Sequence, residues 1–316
     1  MAASEVIEIA PHGDVLLLCG EQVGEGKIVG LRVNSHIMSY GSPVFKALLG
    51  PVFKEGTTLA ASSTVGVPLP EDNPEHMARL CNIFHMRGDN VSQFDLISLE
   101  EFAQLCYKYD CTLATKPAVE RYILAVLPTV EVGTMDYYLG IAVTLRCVDA
   151  VKRIAVLLIH QATRPITEIV APKGLKLGTT CTKIDKTFHE ARREISTFIE
   201  SVIDAQHMNR GLNSRCDTKC TVGMRRVFSL LTQLKAYKLW SSTTERVSLE
   251  SMLRCMENLR LHDPVDLSPC KLDEQYCAKG YGNTRLECYQ PHFGEIASQI
   301  RQLIEAMEFP ELGKAS

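Results

Sequence analysis

The stretch from Asp14 to Gly50, DVLLLCGEQVGEGKIVGLRVNSHIMSYGSPVFKALLG, decides how the amino-terminal part of the chain is read. DVLLLC (14–19) is a short apolar run, and KIVGLRV (27–33) carries Ile28, Val29, Leu31 and Val33. A glycine-rich connection joins them, so the two β-rich segments predict a hairpin. From Ser35 the spacing turns helical, with Ile37 and Met38 before a break at Ser42-Pro43, then Phe45, Leu48 and Leu49, and Gly50-Pro51 as the stop. A phosphate-binding reading of the glycines fails. Counting back from Gly26-Lys27, the first glycine of G-x-x-x-x-G-K-[ST] falls on Glu21, and Ile28 has no hydroxyl for Mg²⁺. The segment after the glycines is a strand, so no helix N-terminus awaits a phosphate.

Outward from this core, Thr57 to Thr64 reads as a polar loop, and Val65-Gly-Val-Pro-Leu69 as an edge strand because Pro68 cannot donate to a ladder. Pro74 opens a helix with the apolar face Met77, Leu80, Cys81 and Phe84. Ser98-Leu-Glu-Glu101 has the form of a capping box, ahead of Leu99, Phe102, Ala103, Cys106 and Tyr109. Pro117 suits the first position of a further helix bearing Val119, Tyr122, Ile123 and Val126. Beyond Pro128 only helical faces recur, among them Phe188, Ala191, Ile195, Phe198, Ile199 and Val202. The expected class is α+β: a helix cluster with a small sheet over residues 11–127, then an all-α carboxy-terminal region over 128–316.

Lys and Arg number 34 against 37 Asp and Glu, a formal net charge of −3, so the chain lacks the basic excess of a dedicated nucleic-acid binder. The apolar runs fall short of the roughly 18 residues that would suggest a membrane span. With no export signal in MAASEVIEIAPHGD, the expected location is intracellular, nucleus or cytoplasm, with no membrane partner and with the 12 cysteines reduced.

In this order the pieces resemble a BTB/POZ domain, and particularly the divergent BTB proteins abundant in filamentous fungi. Asp14-Val15 opens the first strand of the pattern and Leu31-Arg-Val33 closes the second. Ser39-Tyr-Gly-Ser-Pro-Val-Phe-Lys-Ala-Leu-Leu49 stands where that family has S-x-x-S-P-x-F-x-x-x-L. Val67-Pro-Leu-Pro-Glu-Asp-Asn73 resembles its hydrophobic-x-L-x-x-D strand, Leu105-Cys-Tyr-Lys-Tyr-Asp-Cys111 its A-D-K-Y-x-C helix, and Val119-Glu-Arg-Tyr-Ile123 its closing helix. The resemblance implies a non-enzymatic interaction or adaptor protein that self-associates, as a homodimer, or docks a protein partner through helical faces and strand edges. Asn34 and Ser35 depart from the His and the basic residue usual there, so Asp14 lacks its customary charged partner. The family also supplies adaptors for cullin-type ubiquitin ligases, but the hydrophobic-x-Glu triplet of such adaptors is missing from Arg87 to Ser98.

The residues expected to carry interaction are Val6, Ile7 and Ile9, an apolar strip before Asp14, with Asp14 itself and Ile37 and Met38 on the first helix. No catalytic or cofactor-binding residue is assigned. Cys216, Cys220, Cys270 and Cys277 form the constellation closest to metal chemistry: two pairs of thiolates can close a tetrahedral structural zinc site. Against it, CxxxC is looser than CxxC and the gaps between Cys270, Cys277 and Cys288 fit no standard finger, which suits unconnected reduced thiols. Two rival functions attach to the carboxy-terminal region. One is a zinc-dependent transcriptional regulator, suggested by Arg210, Arg215, Lys219, Arg225 and Arg226 beside the cysteines. The other is a Cys-dependent enzyme, which would need a His beside an exposed Cys in a pocket.

Overall fold

The computed structural model describes residues 3–20, 27–61, 64–87, 95–169, 178–212, 222–237, 239, 247–259 and 292–313. They pack into two compact units. One gathers Met1–Ile154 with Phe309–Ser316, and the other Ala155–Ala171 with Gly178–Glu308.

In the first unit, β1 (Glu5–Glu8), β2 (Val15–Cys19) and β3 (Val29–Val33) precede α1 (Ser35–Gly41), α2 (Pro43–Leu48), α3 (Lys54–Ala61) and β4 (Val65–Leu69). The sheet order is β1-β3-β2-β4. β2 and β3 form the expected antiparallel pair, with Val15 opposite Val33 and Cys19 opposite Val29. β4 runs parallel to β2 on the outer edge, which accommodates Pro68. Alternation gives β2 one fully buried side, Val15, Leu17 and Cys19. The break at Ser42 is real: its hydroxyl accepts from the Phe45 amide and so caps α2, whose first residue is Pro43.

Helices α4 (Pro74–Phe84), α5 (Leu96–Lys108), α6 (Thr112–Val126) and α7 (Met135–Thr144) complete the cluster, and α8 (Val148–Gln161) comes next. The face Met77, Leu80, Cys81 and Phe84 is buried, as its spacing requires. Three local expectations need correction. Of the loop expected over residues 57–64, residues 57–61 are instead helical as the end of α3, the hydroxyls of Thr57 and Thr58 donating back to the Lys54 carbonyl. α5 is capped by Asp95, which accepts from the Ser98 amide and hydroxyl, so Ser98 lies inside the helix and is not its cap. α6 begins at Thr112, leaving Pro117 in its interior. The division expected at residue 128 falls inside the first unit, because α7 packs on α5 and α6.

Three helix ends share one geometry. Met86, Asp110 and Arg146 take positive φ, at 57°, 47° and 55°. Each comes after a helix whose last carbonyls are satisfied by two reversed bonds, for example Cys111 N–H to Cys106 O and Asp110 N–H to Tyr107 O after α5. This is a Schellman ending built without glycine. After α5 and α7 the next residue is a buried cysteine, Cys111 or Cys147.

The second unit is helical: α9 (Ile166–Ile169), the 35-residue α10 (Gly178–Leu212), α11 (Val222–Ala236), α12 (Leu249–Asn258) and α13 (Phe293–Glu305). α10 packs on α9, α11 and α13, and α12 on α13. Phe198 meets Phe293 edge to face, 5.5 Å between ring centroids. Asp185 on α10 accepts from the amides of Ile166 and Thr167 at the start of α9. Glu250 on α12 gathers Arg254, Arg301 and His160. Among the described residues, no helix is long and apolar enough to cross a membrane.

Candidate interaction surface

Three of the stretches that carried the sequence resemblance meet in one cluster. Asp72, 4% exposed, accepts from Tyr109 Oη at 2.6 Å and from Lys108 Nζ at 2.7 Å. The Tyr109 ring stacks on Phe45, centroids 4.5 Å apart and planes within 6°. Ser42 Oγ closes the ring of contacts by donating to the Tyr109 carbonyl. The end of α5 is thereby bound both to the turn before α4 and to the α1–α2 break. Burial, and then the Asp72 carboxylate, push the Tyr109 hydroxyl far above its usual range, so it acts as a permanent donor.

Around this core, the interaction residues expected from sequence divide. Val6 (44% exposed) and Ile7 (38%) stand on β1, whose four side chains are all exposed. β1 pairs parallel with β3 along one edge, Val6 opposite Gly30 and Ile7 opposite Leu31. Its far edge has no strand beside it among the described residues. Ile37 on α1 is 37% exposed, and Tyr40 and Val44 join it as exposed apolar side chains on α1 and α2. Ile9 and Met38, by contrast, are core residues, 2% and 0% exposed, and offer nothing to a partner. The alternation Val6-Ile7-Glu8-Ile9 ends with Ile9 turned inward past the end of β1, and Met38 lies on the inner side of α1.

Asp14 is not free: Ser35 holds it. Its carboxylate accepts from the Ser35 amide at 2.7 Å and the Ser35 hydroxyl at 2.6 Å. Burial pushes this carboxyl up, but the two Ser35 bonds outweigh it, so it titrates below the usual carboxylate range. Ser35, the departure from the family pattern, is thus the residue that satisfies Asp14. Asn34 caps α1 by accepting from the His36 and Ile37 amides.

The end of α4 reaches both exposed elements. The Arg87 guanidinium donates to the Glu8 carbonyl of β1, and His85 Nε2 lies 3.1 Å from the Asn34 amide at the start of α1. Glu8 also pairs with Arg32 on β3. Metal-ligand spacing among the histidines does not single out His85. The signal that does is a histidine directly after an amphipathic helical run, where ring nitrogens meet the last carbonyls.

The described cysteines are free. Burial pushes Cys19 and Cys147 up to about 12 and Cys181 up to about 11, and raises Cys255 as well. That direction opposes thiolate chemistry. Cys216, Cys220, Cys270 and Cys277 lie outside the described residues, as do Arg215 and Lys219. Among the described residues, no three His, Cys, Asp or Glu side chains group to hold a metal. Comparison with protein-family models, with curated proteins and with solved structures finds no match for this chain.

Proposed function

We propose that the chain is a non-enzymatic interaction protein whose first unit is BTB/POZ-like and docks a protein partner, foremost a second copy of itself, through β1 and α1. The observation that carries this reading is β1, a strand with exposed Val6 and Ile7 and an outer edge left without a neighbouring strand among the described residues. Support comes also from the cluster of Ser42, Phe45, Asp72, Lys108 and Tyr109. Three separate stretches of the family-like pattern meet there, which gives the pattern a common structural purpose. A role away from catalysis agrees with thiols held protonated by burial. The same reading places the protein inside the cell, in nucleus or cytoplasm. An adaptor role in cullin-type ubiquitin ligases is a narrower form of it, and residues 88–94 of the relevant loop lie outside the described residues.

Light scattering on the full chain over a concentration series tests the proposal. A mass above the 35.1 kDa monomer is expected, falling to the monomer in Val6→Asp/Ile7→Asp. A strict monomer at the highest concentration reached removes the homodimer, and a double variant that associates as the parent does removes β1 from the interface.

A further inference from the structure

We propose that His85 is a proton-operated latch: the neutral ring ties the cap of α1 to the end of α4, and the imidazolium form releases it. Which atoms can donate decides the protonation state. His85 Nδ1 lies 2.7 Å from the Cys81 carbonyl oxygen, which can only accept, so Nδ1 carries the proton. On the opposite side, Nε2 lies 3.1 Å from the Asn34 amide nitrogen, which can only donate, so Nε2 must accept. Both bonds exist together only in the neutral Nδ1–H tautomer. A second proton would set the Nε2–H against the Asn34 N–H, turning a bond into a repulsion between two donors.

Asn34 is no incidental partner. Its side chain caps α1 through the His36 and Ile37 amides, and the next residue, Ser35, is held by Asp14. Among the described residues, the charged and titratable groups at this junction are Asp14 just before β2, His36 on α1 and Arg87 after α4. Burial of the ring opposes its protonation most, the Cys81 carbonyl favours it, and the Arg87 charge opposes it again. His85 therefore titrates below its ordinary 6.5 in the folded chain. A histidine depressed in this way contributes stability that is complete above the unfolded value of 6.5 and is lost as pH falls toward the folded value. The latch stands on this geometry alone. Its consequence for docking, that an acidic medium loosens α1 and its Ile37 and so weakens association, rests on the function proposed above.

The experiment is nitrogen NMR of the histidine rings of the full chain, with amide hydrogen exchange at Asn34 and Ile37, from about pH 8 to about pH 5. The Nδ1–H tautomer is expected for His85 at the upper end. Amide protection, corrected for intrinsic exchange, should decline by up to tenfold per pH unit as pH falls below about 6.5 toward the lower folded value, where the open form takes the proton and the latched ring does not. His76 and His160 are also lowered by burial, and their own ring signals separate them. His85→Gln keeps one donor and one acceptor without a titration and should leave Asn34 protection flat with pH. Should that variant fail to fold, the parent's tautomer and titration still decide. An Nε2–H tautomer at about pH 8, or Asn34 protection that stays constant while His85 charges, overturns the latch. Light scattering at both ends of the range tests the docking consequence. Weaker association in acid supports it, and association unchanged while Asn34 protection falls refutes it. A chain monomeric throughout refutes the homodimer without touching the latch.

Discussion

Removing one oxygen from Tyr109 tests whether the buried cluster holds the first unit together. In Tyr109→Phe the ring keeps its stack on Phe45, so the loss is confined to the 2.6 Å bond to Asp72. Hydrogen bonds to a charged group contribute about 1.5–3 kcal/mol. The upper half of that range is expected, since the Asp72 side chain is 4% exposed and water cannot readily replace the hydroxyl. Lys108 remains as a partner, but its side chain is 48% exposed and bonds the other carboxylate oxygen, so it compensates little. The assay is hydrogen exchange resolved by peptide, comparing β4, α5 and α1–α2 with α10. At about 1.4 kcal/mol per tenfold, protection in the first three should fall roughly 30- to 150-fold, with α10 as an internal reference. Tyr107→Phe, whose ring is 74% exposed, should change nothing. If Tyr109→Phe shifts exchange no more than Tyr107→Phe does, the cluster is an ornament of the fold and the physical case for the family-like pattern collapses.

Three further outcomes are expected. Gly41→Ala places a Cβ 2.6 Å from the Phe84 ring and should cost about 1–3 kcal/mol by overpacking, read as a lower denaturation midpoint of the first unit. Met86→Gly should stabilise by up to about 1.5 kcal/mol, since it removes a left-handed penalty of about 1–2 kcal/mol and adds about 0.5–1 kcal/mol of chain entropy; a lower midpoint would contradict the assignment of strain. Burial raises the Glu250 carboxyl, but bonds from Arg301 and Arg254 prevail and hold it down at about 2. Its contribution is therefore present above its ordinary 4.5 and lost as pH falls toward about 2, so Glu250→Gln should flatten the acid limb of helix melting monitored by circular dichroism.

The residues that were legible in the sequence are those whose neighbours are local. DVLLLC alternates, Ser42-Pro43 caps and starts a helix, and Met77 to Phe84 recurs at helical spacing. Each signal depends only on nearby chain. α3 escaped because KEGTTLAA has no apolar face to display; side-chain bonds from its threonines support it instead. The starts of α5 and α6 were displaced because more than one legal cap was available. Asp95 competed with Ser98, and the turn that ends α5 at Asp110 delivers the chain directly into α6 at Thr112. At the surface, Ile9 and Met38 could not be told from Val6 and Ile37 by pattern. Which of two adjacent apolar residues turns inward depends on what lies across the sheet, and the parallel pairing of β1 with β3 leaves no local trace. His85 showed only the local signal of a histidine closing an amphipathic run; its bond to a backbone amide 51 positions away left no trace in the pattern.

The attachment of β1 sets a hierarchy of openings within the sheet. All four of its side chains face solvent, so its hold on β3 is the backbone ladder, the Glu8–Arg32 pair and the Ser4 bonds to Ile28. At its carboxy-terminal end, buried Ile9 and the Ala10 amide on the Arg32 carbonyl act as a rivet. A strand riveted at one end and held by solvent-accessible bonds along its length frays from the free end, at far lower free energy than global unfolding. Each fraying event bares the outer backbone of β3, beginning at Val29. On its β1 side the sheet therefore offers two edges of different availability: the one beyond β1, without a neighbouring strand among the described residues, and one revealed for the lifetime of a peeled strand. An invading strand that captured the second would need to displace only the four residues of β1, while Ile9 kept the released segment moored beside it.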